Sequence, residues 1–193
     1  LYGDALDKGA GNDTAATATP LGTATFANPL AIGTDADDAF VAFDETDFVS
    51  IDDETDEDYF SFTIQNAGKV NLVLTPKGPS YLEGPEQSAG TNNQDIFDAS
   101  ALNDLSMSLF DSNGTSLLEL ASDTPAGEQE RILGFELDEP GEYFVRVGTS
   151  VRVRERPQMY RLDVAYIPEP ATATLLTATL LAAAIRRARR RPA

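Results

Sequence analysis

From residue 60 onward the sequence alternates apolar and polar residues with a period of two, and this limits the possible folds more than any other feature. The apolar members are Phe60, Phe62, Ile64; Val70, Leu72, Leu74; Leu105, Met107, Leu109; Leu118, Leu120; Leu133, Phe135, Leu137; Tyr143, Val145, Val147; and Tyr160, Leu162, Val164. A strand turns successive side chains to opposite faces, so each run predicts a half-buried strand. Asn66-Ala67-Gly68, Asp111-Ser112-Asn113-Gly114 and Glu139-Pro140-Gly141 separate the runs and supply the Gly or Asn that tight connections with positive φ require. Seven or more short strands of this kind predict an all-β fold, an antiparallel β-sandwich whose two sheets share one core. Residues 1–57, rich in Ala, Thr, Gly and Asp, read as an irregular lead-in with candidate short strands at Ala39–Phe43 and Phe48–Ile51. Lys77–Asn103, rich in Gly, Pro, Ser, Asn and Gln, reads as a long surface loop between the two halves. No internal repeat has a fixed period.

Composition excludes much of enzyme chemistry. The 193 residues contain no Cys and no His. Disulfides, thiol nucleophiles, Ser-His triads and the usual zinc and copper ligands are therefore absent. A net charge of -18 disfavours binding to a nucleic-acid backbone.

That charge is unevenly divided. From Pro168 to the end there are five Arg (Arg186, Arg187, Arg189, Arg190, Arg191) and one acid, Glu169, so this segment is +4 and the rest of the chain is -22. It begins Pro168-Glu169-Pro170, continues with uncharged residues from Ala171 to Ile185, and ends in the Arg cluster. As a helix the uncharged stretch spans about 22 Å, short of the roughly 30 Å hydrocarbon core. Its Ala and Thr content is only weakly apolar, which suits temporary retention, and the Arg cluster would stay cytoplasmic. The sequence thus predicts a C-terminal hydrophobic helix over 171–185.

This order of features resembles the bacterial PEP-CTERM sorting tail, over about Ile167 to Ala193. The resemblance implies recognition by an exosortase, passage through the inner membrane by way of 171–185, and delivery of an exported, membrane-anchored precursor to the cell surface or extracellular matrix. A generic C-terminal anchor is the simpler alternative.

Between Asp52 and Asp58 six of seven residues are acids. Crowded carboxylates raise one another's pKa, and a hard cation with oxygen ligands relieves the repulsion, which points to Ca²⁺ outside the cell. The spacing is not that of an EF-hand, because Glu57 occupies the position that the motif gives to glycine. A solvated acidic loop that binds nothing is the competing reading.

Asp56-Glu57-Asp58-Tyr59-Phe60-Ser61-Phe62, Leu109 to Gly114, Pro140 to Val147 and Tyr160-Arg161-Leu162, together with the opening Gly11-Asn12-Asp13-Thr14, Ala15-Ala16-Thr17 and Pro20-Leu21-Gly22, resemble the bacterial pre-peptidase C-terminal domain. The resemblance covers roughly residues 11–166 and implies a jelly-roll-like sandwich attached to secreted proteases and other exoenzymes. By position it implies calcium ligands at Asn12, Asp13, Asp56 and Asp58, with Asp53 next; no Glu-Pro precedes Asn12, a departure from the usual opening motif. Leu1-Tyr2-Gly3 resembles the end of matrixin-type metalloprotease catalytic domains, so residues 1–10 read as the end of an upstream domain or linker and 167–193 as the tail.

Asn12-Asp13-Thr14 and Asn113-Gly114-Thr115 fit the glycosylation sequon, the second more simply as a turn. Arg152, Arg154, Arg156 and Arg161 around the last hairpin are expected to pair with the acidic surface rather than bind an anionic polysaccharide. The leading functional expectation is a non-catalytic, calcium-stabilised accessory module of an exported protein such as a protease. The alternative is a surface or biofilm-matrix protein that binds exopolysaccharide with no enzyme attached. Hydrolysis by paired carboxylates is disfavoured, because the acids lie in one run rather than around a cleft.

Overall fold

A computed structural model of the chain describes residues 6, 11–35, 47–53, 55–84, 94–152 and 157–169. The expected strand at Ala39–Phe43, the tripeptide Leu1-Tyr2-Gly3, Arg154, Arg156, Pro170, the hydrophobic stretch 171–185 and the Arg cluster lie outside these residues.

Among the described residues twelve strands follow in chain order: β1 (Thr19–Thr23), β2 (Leu30–Ile32), β3 (Val49–Ile51), β4 (Asp58–Ile64), β5 (Gly68–Lys77), β6 (Ser80–Glu83), β7 (Asp95–Asp98), β8 (Asn103–Phe110), β9 (Leu117–Ala121), β10 (Glu130–Leu137), β11 (Gly141–Arg152) and β12 (Gln158–Pro168). One sheet has the order β1-β4-β11-β8-β9; the other has β10-β5-β12-β2, with β3 also on β12. All pairings are antiparallel except β1 with β4, which is parallel. The chain changes sheet repeatedly, and two of these passages, from β4 to β5 and from β11 to β12, join the longest ladders. Each arrival pairs with its counterpart, β4 with β11 and β5 with β12.

Along β4, β5, β8, β11 and β12 the inward residues are those the alternation selects, whereas on β9 the selected Leu120 is exposed. Val70, Leu72, Leu74, Leu162 and Val164 on one sheet and Phe60, Phe62, Met107, Leu109, Val145 and Val147 on the other are buried in a single cluster. The ring of Phe60 meets that of Tyr160 edge-on across the interior, with centroids 6.5 Å apart. This is an all-β sandwich with one core.

Four expectations need correction. The lead-in is not irregular throughout: the candidate strand at Phe48–Ile51 is found as β3, but β1 and β2 were not expected; both are short, and partner strands rather than their own periodicity order them. Lys77–Asn103 is not one loop: it holds the β6–β7 hairpin and a 3-10 turn at Ala99–Ala101. Leu133 is 62% exposed while Ile132 is buried, because the register of β10 on β5 shifts between Ile132 and Phe135. Gly134 sits in that shift with φ 65 and donates its N–H to Asn71 Oδ1 at 2.7 Å, a bulge that turns the first half of the strand over. Of the glycines assigned to tight turns, Gly114 has positive φ. Gly68 is instead the first residue of β5, where Ile167 O and the Tyr166 ring leave no room for a side chain.

Gln158 fastens one end of the sandwich. It is fully buried at the start of β12; its Oε1 accepts from the N–H groups of Leu102 and Asn103 at 2.8 and 3.2 Å, and its Nε2 lies within donating reach of Lys77 O, Ala99 O and Met159 O. One amide thereby serves the end of β5, the 3-10 turn and the start of β8. Asp47 closes the connection between β2 and β3. Its carboxylate accepts from Gly33 N, Thr34 N and Thr34 Oγ1 at 2.7–2.9 Å, and its own N–H donates to Asp35 Oδ2. Burial alone would raise its pKa, but the hydrogen bonds from Thr34 and Gly33 and the positive charge of Arg161 outweigh it and hold the carboxyl below its ordinary 3.8.

A carboxyl lowered on folding stabilises the protein above its unfolded pKa, and that contribution is lost as pH falls through the folded value. Asp47→Asn is therefore expected to be less stable than wild type near neutrality, with the gap narrowing once the pH drops below 3.8. Urea denaturation across that range measures it, and a gap independent of pH would contradict the assignment.

Candidate functional site

The acidic stretch leads from β3 into β4, and the opening segment lies against it. Asn12 is buried and pairs with Tyr59 like a short piece of sheet: Tyr59 N donates to Asn12 O at 2.8 Å, and Asn12 Nδ2 donates to Tyr59 O at 3.4 Å. The other amide atom, Asn12 Oδ1, is a buried acceptor with no hydrogen-bond partner among the described residues. A 3-10 turn at Ala15–Thr17, held by Thr17 N donating to Thr14 O, then carries the chain into β1 beside β4.

The described acids of this stretch do not form one cluster. Asp53 Oδ1 accepts from Thr55 N, Thr55 Oγ1 and Asp56 N at 2.7–3.1 Å, which folds the stretch into a turn. Asp56 Oδ2 accepts from Asp52 N at 2.7 Å. Glu57 points to the outer face of the sheet, where it meets Arg146 Nη1 at 2.9 Å. The Arg146 guanidinium also lies 5.6 Å from the centre of the Phe110 ring and donates to Ser108 Oγ. Asp58 turns inward. It is fully buried, and its Oδ2 accepts the hydroxyl proton of Tyr160, which crosses the interior from the other sheet.

Of the expected ligands, the fold therefore brings Asn12 and Asp58 to neighbouring positions inside the protein, joins Asp53 to Asp56 in a turn at the surface, and leaves Asp13 exposed. Among the described residues no three acids come together closely enough to hold a metal ion. The buried, unpartnered Asn12 oxygen is a hard donor of the type calcium takes, but carboxylates alone do not complete a shell, so backbone carbonyls and water would have to contribute. Pro168 of the tail motif is the last residue of β12, paired with Gly68, and Glu169 follows it exposed. Arg161 forms an ion pair with Asp163 at 2.6 Å.

Sequence reasoning missed three buried polar groups: Tyr160 as the partner of Asp58, Gln158, and Glu130. Glu130 accepts from Thr124 N and Thr124 Oγ1 through Oε1, while its Oε2 is buried with no hydrogen-bond partner among the described residues. Parity would have found the first two. Asp58 has the same parity as Phe60, Phe62 and Ile64, and Gln158 and Tyr160 that of Leu162 and Val164, so all must face inward.

Residues 56–149 match the bacterial pre-peptidase C-terminal domain family. The match opens at Asp56 and runs from the end of the acidic stretch through β4 and into β11. Among solved structures, the pre-peptidase C-terminal domain of a collagenase from Bacillus anthracis is 14% identical with a TM-score of 0.42, covering 76% of this chain and 93% of that one. PliG of Aeromonas hydrophila, a periplasmic inhibitor of g-type lysozyme, is 9% identical with a TM-score of 0.32, covering 77% and 96%. No curated protein matches the chain.

The Asp58–Tyr160 contact joins the two sheets through a charged acceptor, so loss of either partner leaves a buried polar group unsatisfied. Tyr160→Phe and Asp58→Ala are each expected to cost about 1–3 kcal/mol. The double variant is expected to fall short of the sum by about 1 kcal/mol. A thermodynamic cycle from urea denaturation checks this, and strict additivity would show that the two side chains act independently.

Proposed function

We propose that this chain is a non-catalytic β-sandwich module that accompanies an exported enzyme such as a protease, is stabilised by calcium, and is delivered by its C-terminal tail. The reading rests on the match of residues 56–149 to a domain family whose description places it beside peptidases. The absence of His and Cys agrees with an accessory role, since it removes the common nucleophile, base and zinc chemistries.

Within this reading Asn12 and Asp58 would hold the calcium ion, with Asp56, Asp53 and Asp13 as the further candidates. The ion would relieve repulsion along the acidic run and tie the opening segment to the first long strand. Asn12 contributes an amide oxygen that folding has already removed from water, and Tyr160 fixes the orientation of Asp58 from across the core. The full chain is expected to melt several degrees higher in millimolar Ca²⁺ than in chelator, and Asn12→Ala is expected to lose that difference. Equal melting temperatures for the wild type in the two buffers would remove calcium from the proposal.

Delivery has its own test. Pro168, Glu169 and Pro170 would be read by an exosortase, 171–185 would cross the inner membrane transiently, and the Arg cluster would remain inside until the tail is cut. Protein recovered from the surface or matrix of cells that carry an exosortase is expected by mass to lack Arg186, Arg187, Arg189, Arg190 and Arg191. Recovery of the intact chain from the cytosol alone would overturn the export reading.

A further inference from the structure

The sandwich is open along one side. β9 ends one sheet and pairs with β8; β10 ends the other and pairs with β5; they are not hydrogen-bonded to each other. Between them, at the end of β10 that leads into β11, lies a groove of about 390 Å³. Its floor is apolar: Leu118 and Phe135 are half-buried against the core, and Tyr143 is buried with its hydroxyl donating to Glu139 O at 2.8 Å. Its rim is acidic: Asp111, Glu136, Asp138 and Glu139 line it and no cationic residue does, although Glu136 is paired with Lys69 beyond the rim. Asp138 and Glu139 are exposed. Burial pushes the Tyr143 phenol above its ordinary 10.0, and the charges of Glu139, Asp138 and Asp111 push it the same way. The field of all three acids therefore reaches the floor of this groove.

These observations define the ligand chemistry. An acidic rim repels anionic polysaccharide and anionic membrane surfaces. A metal ion would leave the apolar floor unused, and no three acids gather here or elsewhere among the described residues to bind one. The volume is at the lower end of the range for ligand pockets, room for a few side chains. The edge strand β10 borders it with backbone groups to which an extended chain can add.

We propose that the groove between β9 and β10 docks a short basic peptide segment of a partner protein, bound extended, with a large apolar side chain over Leu118, Phe135 and Tyr143 and flanking Arg or Lys residues at Asp111, Asp138 and Glu139. The site is remote in sequence from the acidic stretch and does not depend on calcium or on the tail.

The test uses the full chain and a fluorescent synthetic peptide in which Arg alternates with Phe and Leu. Comparison peptides replace Phe and Leu by Ser, or Arg by Glu, and a neutral chitooligosaccharide represents the carbohydrate alternative. Two charge-matched double variants separate local from overall electrostatics: Asp138→Lys with Glu139→Lys at the groove, and Asp123→Lys with Glu128→Lys at the opposite end of β10. All four positions are exposed, so both proteins are expected to melt like wild type. The expected result is saturable binding of the Arg/Phe/Leu peptide, weakened about tenfold or more by the groove variant and much less by the distant one. The Ser peptide is expected to bind more weakly and the Glu peptide not at all. Equal weakening by the two variants, no peptide binding at millimolar concentration, or competition by the oligosaccharide would each overturn the proposal.

Discussion

Two ladders in different sheets must close on each other for any of this protein to be stable. Along β5 and β12, Leu74 sits opposite Leu162 and Leu72 opposite Val164; along β4 and β11, Phe60 sits opposite Val145 and Phe62 opposite Tyr143. Neither sheet can keep such a face in water, and each side chain of this kind contributes about 1.5–3 kcal/mol when removed from it. Because the chain passes directly from β4 to β5 and from β11 to β12, displacing either ladder displaces the other. The short strands β1, β2 and β3 then dock on surfaces that already exist, which explains how Thr-Pro-Leu-Gly-Thr can be a strand at all.

Polar groups close the ends where the apolar face runs out. Gln158 lies just before Tyr160 in the inward series, Asp58 just before Phe60, and Glu130 just before Ile132. Each is fully or almost fully buried, and each bonds to something outside its own ladder: Gln158 to the 3-10 turn and the start of β8, Asp58 to the opposite sheet, Glu130 to the loop before β10. An apolar residue at these points would leave backbone N–H groups or a hydroxyl without partners, a larger cost than that of burying the polar side chain.

The long strands were legible because their period is strict. β4, β5, β8, β11 and β12 all lie where Phe60, Val70, Leu105, Tyr143 and Tyr160 begin their runs. β10 was legible as a strand but not in its phase, since the bulge at Gly134 inverts the side chains before it and no alternation rule registers an inserted residue. The β6–β7 hairpin escaped because its apolar residues, Tyr81-Leu82 and Ile96-Phe97, sit side by side instead of alternating, and most of Ser80–Glu83 and Asp95–Asp98 is exposed. For the candidate site, charge density located the stretch but not its internal division. Which carboxylate caps a turn, which meets Arg146 and which goes inside is decided by the neighbouring strands, and those contacts come from residues far away in the chain.

The position of β12 has a mechanical consequence. It is an interior strand, flanked by β5 along its whole length and by β2 and β3 on the other side, and the chain leaves the described body through Pro168 at its end. A tug applied beyond that point and directed along the strand loads the bonds from Met159–Lys77 to Pro168–Gly68 together, in shear, instead of peeling them one after another. Tension entering through this terminus therefore meets the part of the molecule best arranged to resist it.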